Sequence, residues 1–211
     1  CDIIGTHILN GIKKLENKET KVSDAFYVAI FDVDKIDRMD MDAEKDGVMK
    51  VVHLNEVLKD YQAEGHRYGC SGIDGITFAP APGRNDDYKY LYISYGIYSD
   101  LDRNDNDNQV ILRYDVKDWN KYEKTLSQEN ICKEGPAKPD DKYFVYTGNT
   151  TYGIQNLEYD EKTGYIFAAV YKGKKEKFPN FPMFVIDLNK KSERSDIKGV
   201  GEKGDVLFLA E

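Results

Sequence analysis

Two short polar segments contain the side chains best suited to bind a ligand, each at the start of an apolar run. They are His66, Arg67 and Asp74 in the first segment, and Tyr152, Gln155 and Asn156 in the second. Imidazole, guanidinium, carboxylate, hydroxyl and amide groups offer charge and directional hydrogen bonds to a bound molecule. We therefore expect these six residues to form a ligand-binding site. The alternative is that the glycines and Asp74 serve turn geometry while His66 caps a loop.

The Asp- and Asn-rich segment 100–108 could hold a calcium ion. Alternate positions carry side-chain oxygens: Asp100, Asp102, Asn104 and Asn106. Ca²⁺ prefers about six to eight oxygen ligands from a flexible loop. The segment is not an EF-hand, because Asp105 replaces the turn glycine and Ile111 the bidentate glutamate of that motif. The favoured interpretation is a solvated turn, because Asp and Asn tolerate turn geometry, and a structural calcium site is the alternative.

Signatures of well-known catalytic sites are missing from the sequence. It has no Gly-x-Ser-x-Gly elbow, no phosphate-binding glycine loop and no His-Glu-x-x-His motif. The sequence therefore favours binding over catalysis. The enzymatic alternative is a metal-assisted hydrolase in which Asp74, Gln155 and Asn156 hold a divalent ion that polarises a substrate oxygen.

Composition and charge exclude other classes of function. The 211 residues include 30 Lys+Arg and 38 Asp+Glu, which gives a net charge of −8 and a pI near 5.1. An acidic chain is poorly suited to bind nucleic acid or an anionic membrane surface. No apolar run approaches the roughly 20 residues that span a bilayer. We expect the partner to be a small molecule or another protein.

The three cysteines indicate where the protein could work. Cys70 and Cys132 either form one disulfide in an oxidising compartment or remain two free thiols. Cys1 could be the lipid-modified end of a bacterial lipoprotein, or the chain could be a fragment of a longer protein. We expect an extracytoplasmic protein, secreted or lipid-anchored in the bacterial envelope.

An internal repeat leads to the fold prediction. Segments 72–96 and 153–173 each contain two apolar runs joined by a turn. A third run with an Asp before its final aliphatic residue follows each copy, at 109–116 and 182–188, and a similar run lies at 25–33. This succession of strands is the pattern of a β-propeller blade, whose central strands are apolar on both faces.

The fold class we predict is all-β, with propeller-like four-stranded blades. Weaker fourth strands are expected at 48–53, 143–146 and 205–209, and the helical spacing of Leu54, Val57, Leu58 and Tyr61 predicts a short helix. The chain then divides into a partial blade with that helix, residues 1–65, and two blade-like repeats, 66–146 and 147–211, within one domain.

Closed propellers have about four to eight blades. The sequence therefore predicts an incomplete or partial propeller, whose missing blades come from the same or another chain. An open curved sheet or a β-sandwich is the alternative.

The strand starts at 72–78 and 153–160 resemble those of bacterial propellers of the esterase-like phytase and strictosidine-synthase-like kind. The resemblance covers about residues 66–190. In those families an acidic residue early in the innermost strand points into the central channel and often helps to bind a metal. Asp74 matches that position, whereas Gln155 occupies it in the second copy.

These observations favour a propeller-like binding or scaffold protein of the envelope or the exterior, which could also hold structural calcium. Two alternatives stay open: a metal-assisted hydrolase or lactonase that acts at the propeller channel, and a carbohydrate-binding module. The second alternative depends on the many tyrosines, 16 in all, because a tyrosine can stack on a sugar ring and also offers a hydroxyl.

Overall fold

The computed structural model describes residues 2–6, 24–84, 87–127 and 131–211, and only the backbone of residues 2–6. The described residues form three sheets, none of which closes on itself, together with one α-helix. The predicted all-β class is confirmed. In chain order the strands are β1 (Asp2–Thr6), β2 (Tyr27–Phe31), β3 (Met49–His53), β4 (Cys70–Ala79), β5 (Tyr90–Ile97), β6 (Asn108–Tyr114), β7 (Lys124–Thr125), β8 (Asp141–Tyr146), β9 (Thr151–Asp160), β10 (Tyr165–Tyr171), β11 (Met183–Asp187), β12 (Glu193–Asp196) and β13 (Lys203–Val206).

The first sheet has the strand order β1-β2-β3-β7, and all its neighbours are antiparallel. β2 is almost entirely buried, as its unbroken run of aromatic and aliphatic residues predicts. The helix α1 (Asn55–Gln62) follows β3 directly, at the place where the spacing of apolar residues predicts a helix. Among the helices that the structure describes, none is both long and apolar enough to cross a membrane.

The second sheet has six strands in the order β12-β13-β8-β6-β5-β4. β4, β5, β6 and β8 form an antiparallel meander, which corresponds to the four strands predicted within residues 66–146. β5 is buried on both faces. Tyr95 and Ile93 belong to a core that includes β2 and α1, and Tyr92 belongs to a core shared with the third sheet.

The third sheet has the order β11-β10-β9, and β9 lies against β4 and β5 of the second sheet. A bulge interrupts the pairing of β9 with β10 near Val170. The core between the second and third sheets contains Ile154 and Leu157 from β9 and Ile166 from β10. This packing places the start of β9 beside the start of β4.

The C-terminal segment differs from the prediction. The strand expected at 205–209 to complete the last repeat is β13, which joins the second sheet parallel to β8 instead. The hairpin of β12 and β13 covers the outer edge of β8, which would otherwise expose unpaired backbone groups. Residues 208–210 pair briefly with β11 of the third sheet, through the bridge of Leu209 to Ile186 and backbone hydrogen bonds from Asp187 to Phe208 and from Ala210 to Val185. Residues 147–211 are therefore divided between two sheets.

Candidate functional site

Three of the six predicted ligand-binding residues lie together where β4 and β9 begin. The Gln155 Nε2 atom donates a hydrogen bond to Asp74 Oδ2 at 3.1 Å. The same amide nitrogen lies 3.2 Å from the carbonyl oxygen of Tyr152. We call Asp74, Tyr152 and Gln155 the first-strand site.

Glycines allow the two strands to approach closely at this site. Gly153 has φ +81°, and a Cβ built there would lie 2.4 Å from the Tyr95 carbonyl oxygen. A Cβ at Gly96 would lie 2.8 Å from Ser71 Oγ and 3.1 Å from Asp74 Oδ2. At Gly153 only glycine fits without a backbone shift, because the contacts are with backbone atoms, whereas a side chain at Gly96 would displace the Ser71 and Asp74 side chains. The Gly-Ile motif that begins β9 therefore brings Gln155 to Asp74.

Tyr152 combines exposure with an unfavourable backbone conformation. Its φ is +69°, in the left-handed region that costs a non-glycine residue about 1–2 kcal/mol. The residue is 60% exposed, and its ring lies edge-on to Tyr171 at 6.1 Å between centroids. Strained residues often occur at functional sites. The backbone carbonyl of Tyr152 thus contacts the Gln155 amide, while its exposed ring contacts Tyr171.

The other predicted ligand-binding residues lie elsewhere. Asn156 is exposed and pairs with Ala169 of β10 through the strand ladder. His66 has its Nδ1 atom 2.5 Å from the Tyr61 carbonyl oxygen, and its ring contacts the rings of Tyr61 and Tyr98. This arrangement resembles the loop-capping alternative for His66. Arg67 belongs to a second polar region on the other face of β5.

That second region is a buried group of charged side chains that sequence reasoning missed. The Lys142 ammonium donates to Asp60 Oδ2 and, at 2.8 Å, to Glu56 Oε1. Asp60 is fully buried, and its Oδ2 atom also accepts a hydrogen bond of 2.8 Å from the Tyr95 hydroxyl. Its other oxygen, Oδ1, has no hydrogen-bond partner among the described residues; Arg67 Nη1 is 4.0 Å away.

Arg67 extends this group to the last hairpin. Its Nη2 atom donates to both carboxylate oxygens of Glu202, at 2.9 and 2.7 Å, and the Tyr68 hydroxyl donates to Glu202 Oε1 at 2.7 Å. Tyr68 also has a positive φ of +59°. We call Glu56, Asp60, Arg67, Lys142 and Glu202, with the Tyr68 and Tyr95 hydroxyls, the ionic cluster.

The pKa shifts in the ionic cluster follow from burial and charge. Burial alone would raise the pKa of Glu56, but the hydrogen bond and charge of Lys142 outweigh it and lower that pKa. The pKa of Glu202 is lowered as well: burial opposes the shift, and the hydrogen bonds from Tyr68 and Arg67 prevail. Burial, together with the nearby Asp60 carboxylate, raises the pKa of Tyr95 well above its usual value.

A cavity of about 410 Å³ opens beside the ionic cluster. Its walls come from α1, the turn at 67–69, β8 and the β12–β13 hairpin, together with residues 138–140. Such a volume lies within the usual range of ligand pockets. Because its basic side chains outnumber its acidic ones, we call it the basic cavity.

The side chains of the four predicted calcium ligands do not all point to one common position. Asp100 and Asp102 are exposed, and Asp100 Oδ1 accepts a hydrogen bond from the Asp102 backbone at 2.9 Å. Asn106 is buried and donates to the carbonyl oxygens of Tyr98 and Asp100. Asn104 Oδ1 accepts a hydrogen bond from Lys177 at 3.0 Å. Calcium binding stays a prediction.

An ammonium group occupies part of this loop. The Lys175 Nζ atom donates to Asn106 Oδ1 at 3.0 Å, to a carboxylate oxygen of Asp107 and to the Arg103 carbonyl oxygen. Lys175 is buried, and its charge is compensated by the buried Asp107 carboxylate. A lysine distant in sequence thus lies among oxygens of the kind that bind a cation. Among the described residues, no group of three or more His, Cys, Asp or Glu side chains is placed to hold a metal.

Two of the cysteines lie in the described residues, and both are free thiols. Cys70 is buried beneath α1, and burial raises its pKa to about 12. Cys132 is partly buried, and its carbonyl oxygen accepts a hydrogen bond of 2.5 Å from Tyr27. The two-thiol alternative describes this structure. Cys1 lies outside the described residues.

Comparison with known proteins gives no relative from which a role could be transferred: no family model, no curated protein and no solved structure matches the chain. The function has to be argued from the two polar regions.

Proposed function

We propose that this chain is a binding protein of propeller-like architecture, with its ligand at the first-strand site. The observation that carries the proposal is the 3.1 Å hydrogen bond between Gln155 and Asp74, which belong to different sheets and meet beside the exposed, strained Tyr152. A small number of polar groups that converge from separate elements is typical of a site that fixes the orientation of a ligand.

The strand registers support the propeller-like part of the proposal. When Gly72 is aligned with Gly153, Thr77 becomes equivalent to Glu158. Their strand partners, Tyr92 and Phe167, are then equivalent too. The alignment of β4 with β9 therefore also aligns their partner strands, β5 and β10, as expected for repeated units.

The exposed face of β10 supports a further sheet in the assembly. On β5, Ser94 is fully buried and Gly96 is buried, because the third sheet covers them. Their equivalents on β10, Ala169 and Tyr171, are exposed, and Tyr171 is 60% exposed. We propose that a further sheet of the same repeat, a missing blade, covers this face as β9 covers β5.

The chemistry of the first-strand site fits a neutral, hydroxyl-rich ligand such as a carbohydrate. A tyrosine ring can stack on the apolar face of a sugar. The Asp74 carboxylate accepts hydrogen bonds from hydroxyls, and the Gln155 amide both donates and accepts them. We therefore take a carbohydrate as the ligand of the proposed propeller-like binding protein.

Titration with neutral malto-, cello- and xylo-oligosaccharides tests the proposal, with amide chemical shifts as the readout. We expect shifts near the first-strand site in the wild type, and about a tenfold or greater loss of affinity in Tyr152→Gly, by analogy with the stacking of a nucleic-acid base on an aromatic ring, which is worth about 1–3 kcal/mol. Glycine also relieves the positive φ, so we expect the thermal stability to stay within about 1 kcal/mol of wild type.

Tyr88→Ala is the matched control, because Tyr88 is also exposed and lies edge-on to a second tyrosine, Tyr90. It should leave the titration unchanged. Absence of binding to all three oligosaccharide classes, or equal binding by wild type and Tyr152→Gly, would contradict the carbohydrate proposal.

A further inference from the structure

The basic cavity carries more positive than negative side chains in a protein whose net charge is −8. Six of its lining residues are basic: Lys59, Arg67, Lys138, Lys142, Arg194 and Lys203. Four are acidic: Glu56, Asp140, Asp141 and Asp205. The wall of the cavity therefore differs in charge from the chain as a whole.

The acidic wall residues already have partners. Glu56 accepts a hydrogen bond from Lys142, and Asp141 is paired with Arg113, which lies outside the cavity lining. Asp205 lies 3.7 Å from Arg194 Nη1. Asp140 accepts a hydrogen bond from the backbone of residue 115. These carboxylates consequently compete little for the remaining basic groups.

Several basic groups still have donors available. Among the described residues, Lys138 and Lys203 form no ion pair with a carboxylate, and both are exposed. Arg67 donates to Glu202 through Nη2, and its Nη1 atom lies 4.0 Å from Asp60 Oδ1; from Nη1 and Nε no hydrogen bond to a described residue is formed. Both parallel pairs of guanidinium donors include Nη2, which Glu202 already occupies, so Nη1 and Nε are left to donate single, charge-assisted hydrogen bonds to a carboxylate or phosphate.

The fixed position of Arg67 reduces the entropic cost of binding. Glu202 holds the guanidinium through two hydrogen bonds, and the Cζ atom of Arg67 lies 4.9 Å from the centroid of the Tyr68 ring. Groups that are already held in their bound geometry lose less conformational freedom when a ligand arrives. The buried Asp60 and the partly exposed Glu202 lie next to the wall and balance its excess charge, so the placement of donors, rather than net charge, provides selectivity.

We propose that the basic cavity is a second binding site, for a small organic anion that presents carboxylate or phosphate oxygens to Arg67, Lys138 and Lys203. This site shares no residue with the first-strand site, so the two proposals can fail independently.

Isothermal titration calorimetry at low ionic strength tests the inference with inorganic phosphate, pyrophosphate and citrate as probes. Binding of phosphate or pyrophosphate alone would identify a phosphate-bearing ligand, and binding of citrate alone a carboxylate-bearing one. Binding of both classes would support a site that recognises the anionic oxygens common to phosphates and carboxylates. No heat of binding for any probe up to about 10 mM, a range that detects even millimolar affinity, would overturn the proposal.

Variants locate the bound anion. Arg67→Lys keeps the charge but removes the Nη1 and Nε donors of the guanidinium, so we expect about a tenfold loss of affinity. Lys203→Ala should weaken binding about threefold, as a more exposed contact. Arg38→Lys and Lys162→Ala, in distant loops, are the matched controls and should bind as the wild type does.

Lys203 is exposed, so its replacement tests the site even if Arg67→Lys alters folding, which a thermal melt would reveal. Wild-type affinity in both Arg67→Lys and Lys203→Ala would place the anion elsewhere and overturn the assignment.

Discussion

The first-strand site and the ionic cluster lie on opposite faces of the same strand. Tyr95 of β5 points to the ionic cluster, where its hydroxyl donates to Asp60. Its neighbour Gly96 faces the first-strand site, where a side chain would collide with Ser71 and approach Asp74. Successive residues of a strand alternate between faces. One strand therefore supports two polar regions of different physical origin.

The comparison shows two ways to build a polar region in a β-protein. In the first-strand site, close backbone approach at glycines brings together side chains of different sheets, and the ring of Tyr152 remains exposed. In the ionic cluster, buried opposite charges compensate one another. The first arrangement depends on backbone shape, whereas the second depends on complete pairing, because an unpaired buried charge is costly.

The largest expected effect comes from removing one charge of the ionic cluster. Lys142→Met leaves Asp60 buried without its ammonium partner, and we expect the free energy of unfolding to fall by about 3–5 kcal/mol. Urea denaturation measures the change. Lys190→Met is the control, because Lys190 is 46% exposed and its ammonium lies 3.7 Å from Asp187; it should cost about 1 kcal/mol or less.

A second substitution distinguishes unpaired charge from lost packing. Asp60→Asn in the Lys142→Met background removes the buried charge, so it should restore part of the lost stability. If the double variant is as unstable as the sum of the two single variants, charge compensation does not explain the cluster.

The next largest expected effect tests whether the first-strand site depends on the close backbone contact of β9 with β5. Gly153 and Gly201 both have φ +81°, but a Cβ at Gly153 would lie 2.4 Å from the Tyr95 carbonyl oxygen, whereas a Cβ at Gly201 would have no neighbour within 4 Å. Alanine should cost about 1–2 kcal/mol at Gly201 for the left-handed backbone. At Gly153 we expect about 1–3 kcal/mol more, because of overpacking.

Equal losses for Gly153→Ala and Gly201→Ala in urea denaturation would show that backbone conformation alone, and not the contact of β9 with β5, requires the glycine. The oligosaccharide titration should also weaken in Gly153→Ala only, since the substitution displaces Gln155 relative to Asp74.

Local sequence pattern was sufficient to predict most of the sheets. Apolar runs at 72–96 and 153–173 correspond to β4, β5, β9 and β10. This succeeds because period and turn residues are local properties. The pairing of β13 with β8 could not be predicted in this way, because it depends on which sheet edge is left open after the meander forms.

For the candidate sites too, sequence reasoning could not predict contacts between residues that are far apart in the chain. The sequence analysis placed Asp74 and Gln155 in one candidate site, and in the structure their side chains are hydrogen-bonded to each other. Arg67 is close to Asp74 in sequence, yet it turns towards Glu202, 135 residues away. Lys142 and Asp60 are 82 residues apart, and Lys175 and Asp107 are 68 apart. In sequence, such charges look like parts of solvated loops.

The smallest expected effect is the pH dependence of stability that the ionic cluster contributes. Glu56 and Glu202 have folded-state pKa values below the ordinary value of 4.5. The unfolded state therefore binds more protons in acid, and the stability these groups provide is present above about pH 4.5 and is lost as the pH falls through their folded pKa values. Because the Glu202 side chain is 39% exposed, solvent screening limits the combined contribution to about 1 kcal/mol.

Denaturation curves between neutral and acidic pH measure this contribution. Glu56→Gln and Glu202→Gln should each flatten the fall in stability, whereas Tyr152→Gly in the first-strand site should keep the wild-type slope. If Tyr152→Gly changed the slope as much as the glutamate variants, the two faces of β5 would be electrostatically coupled, and the division into a backbone-built region and a charge-built region would be wrong.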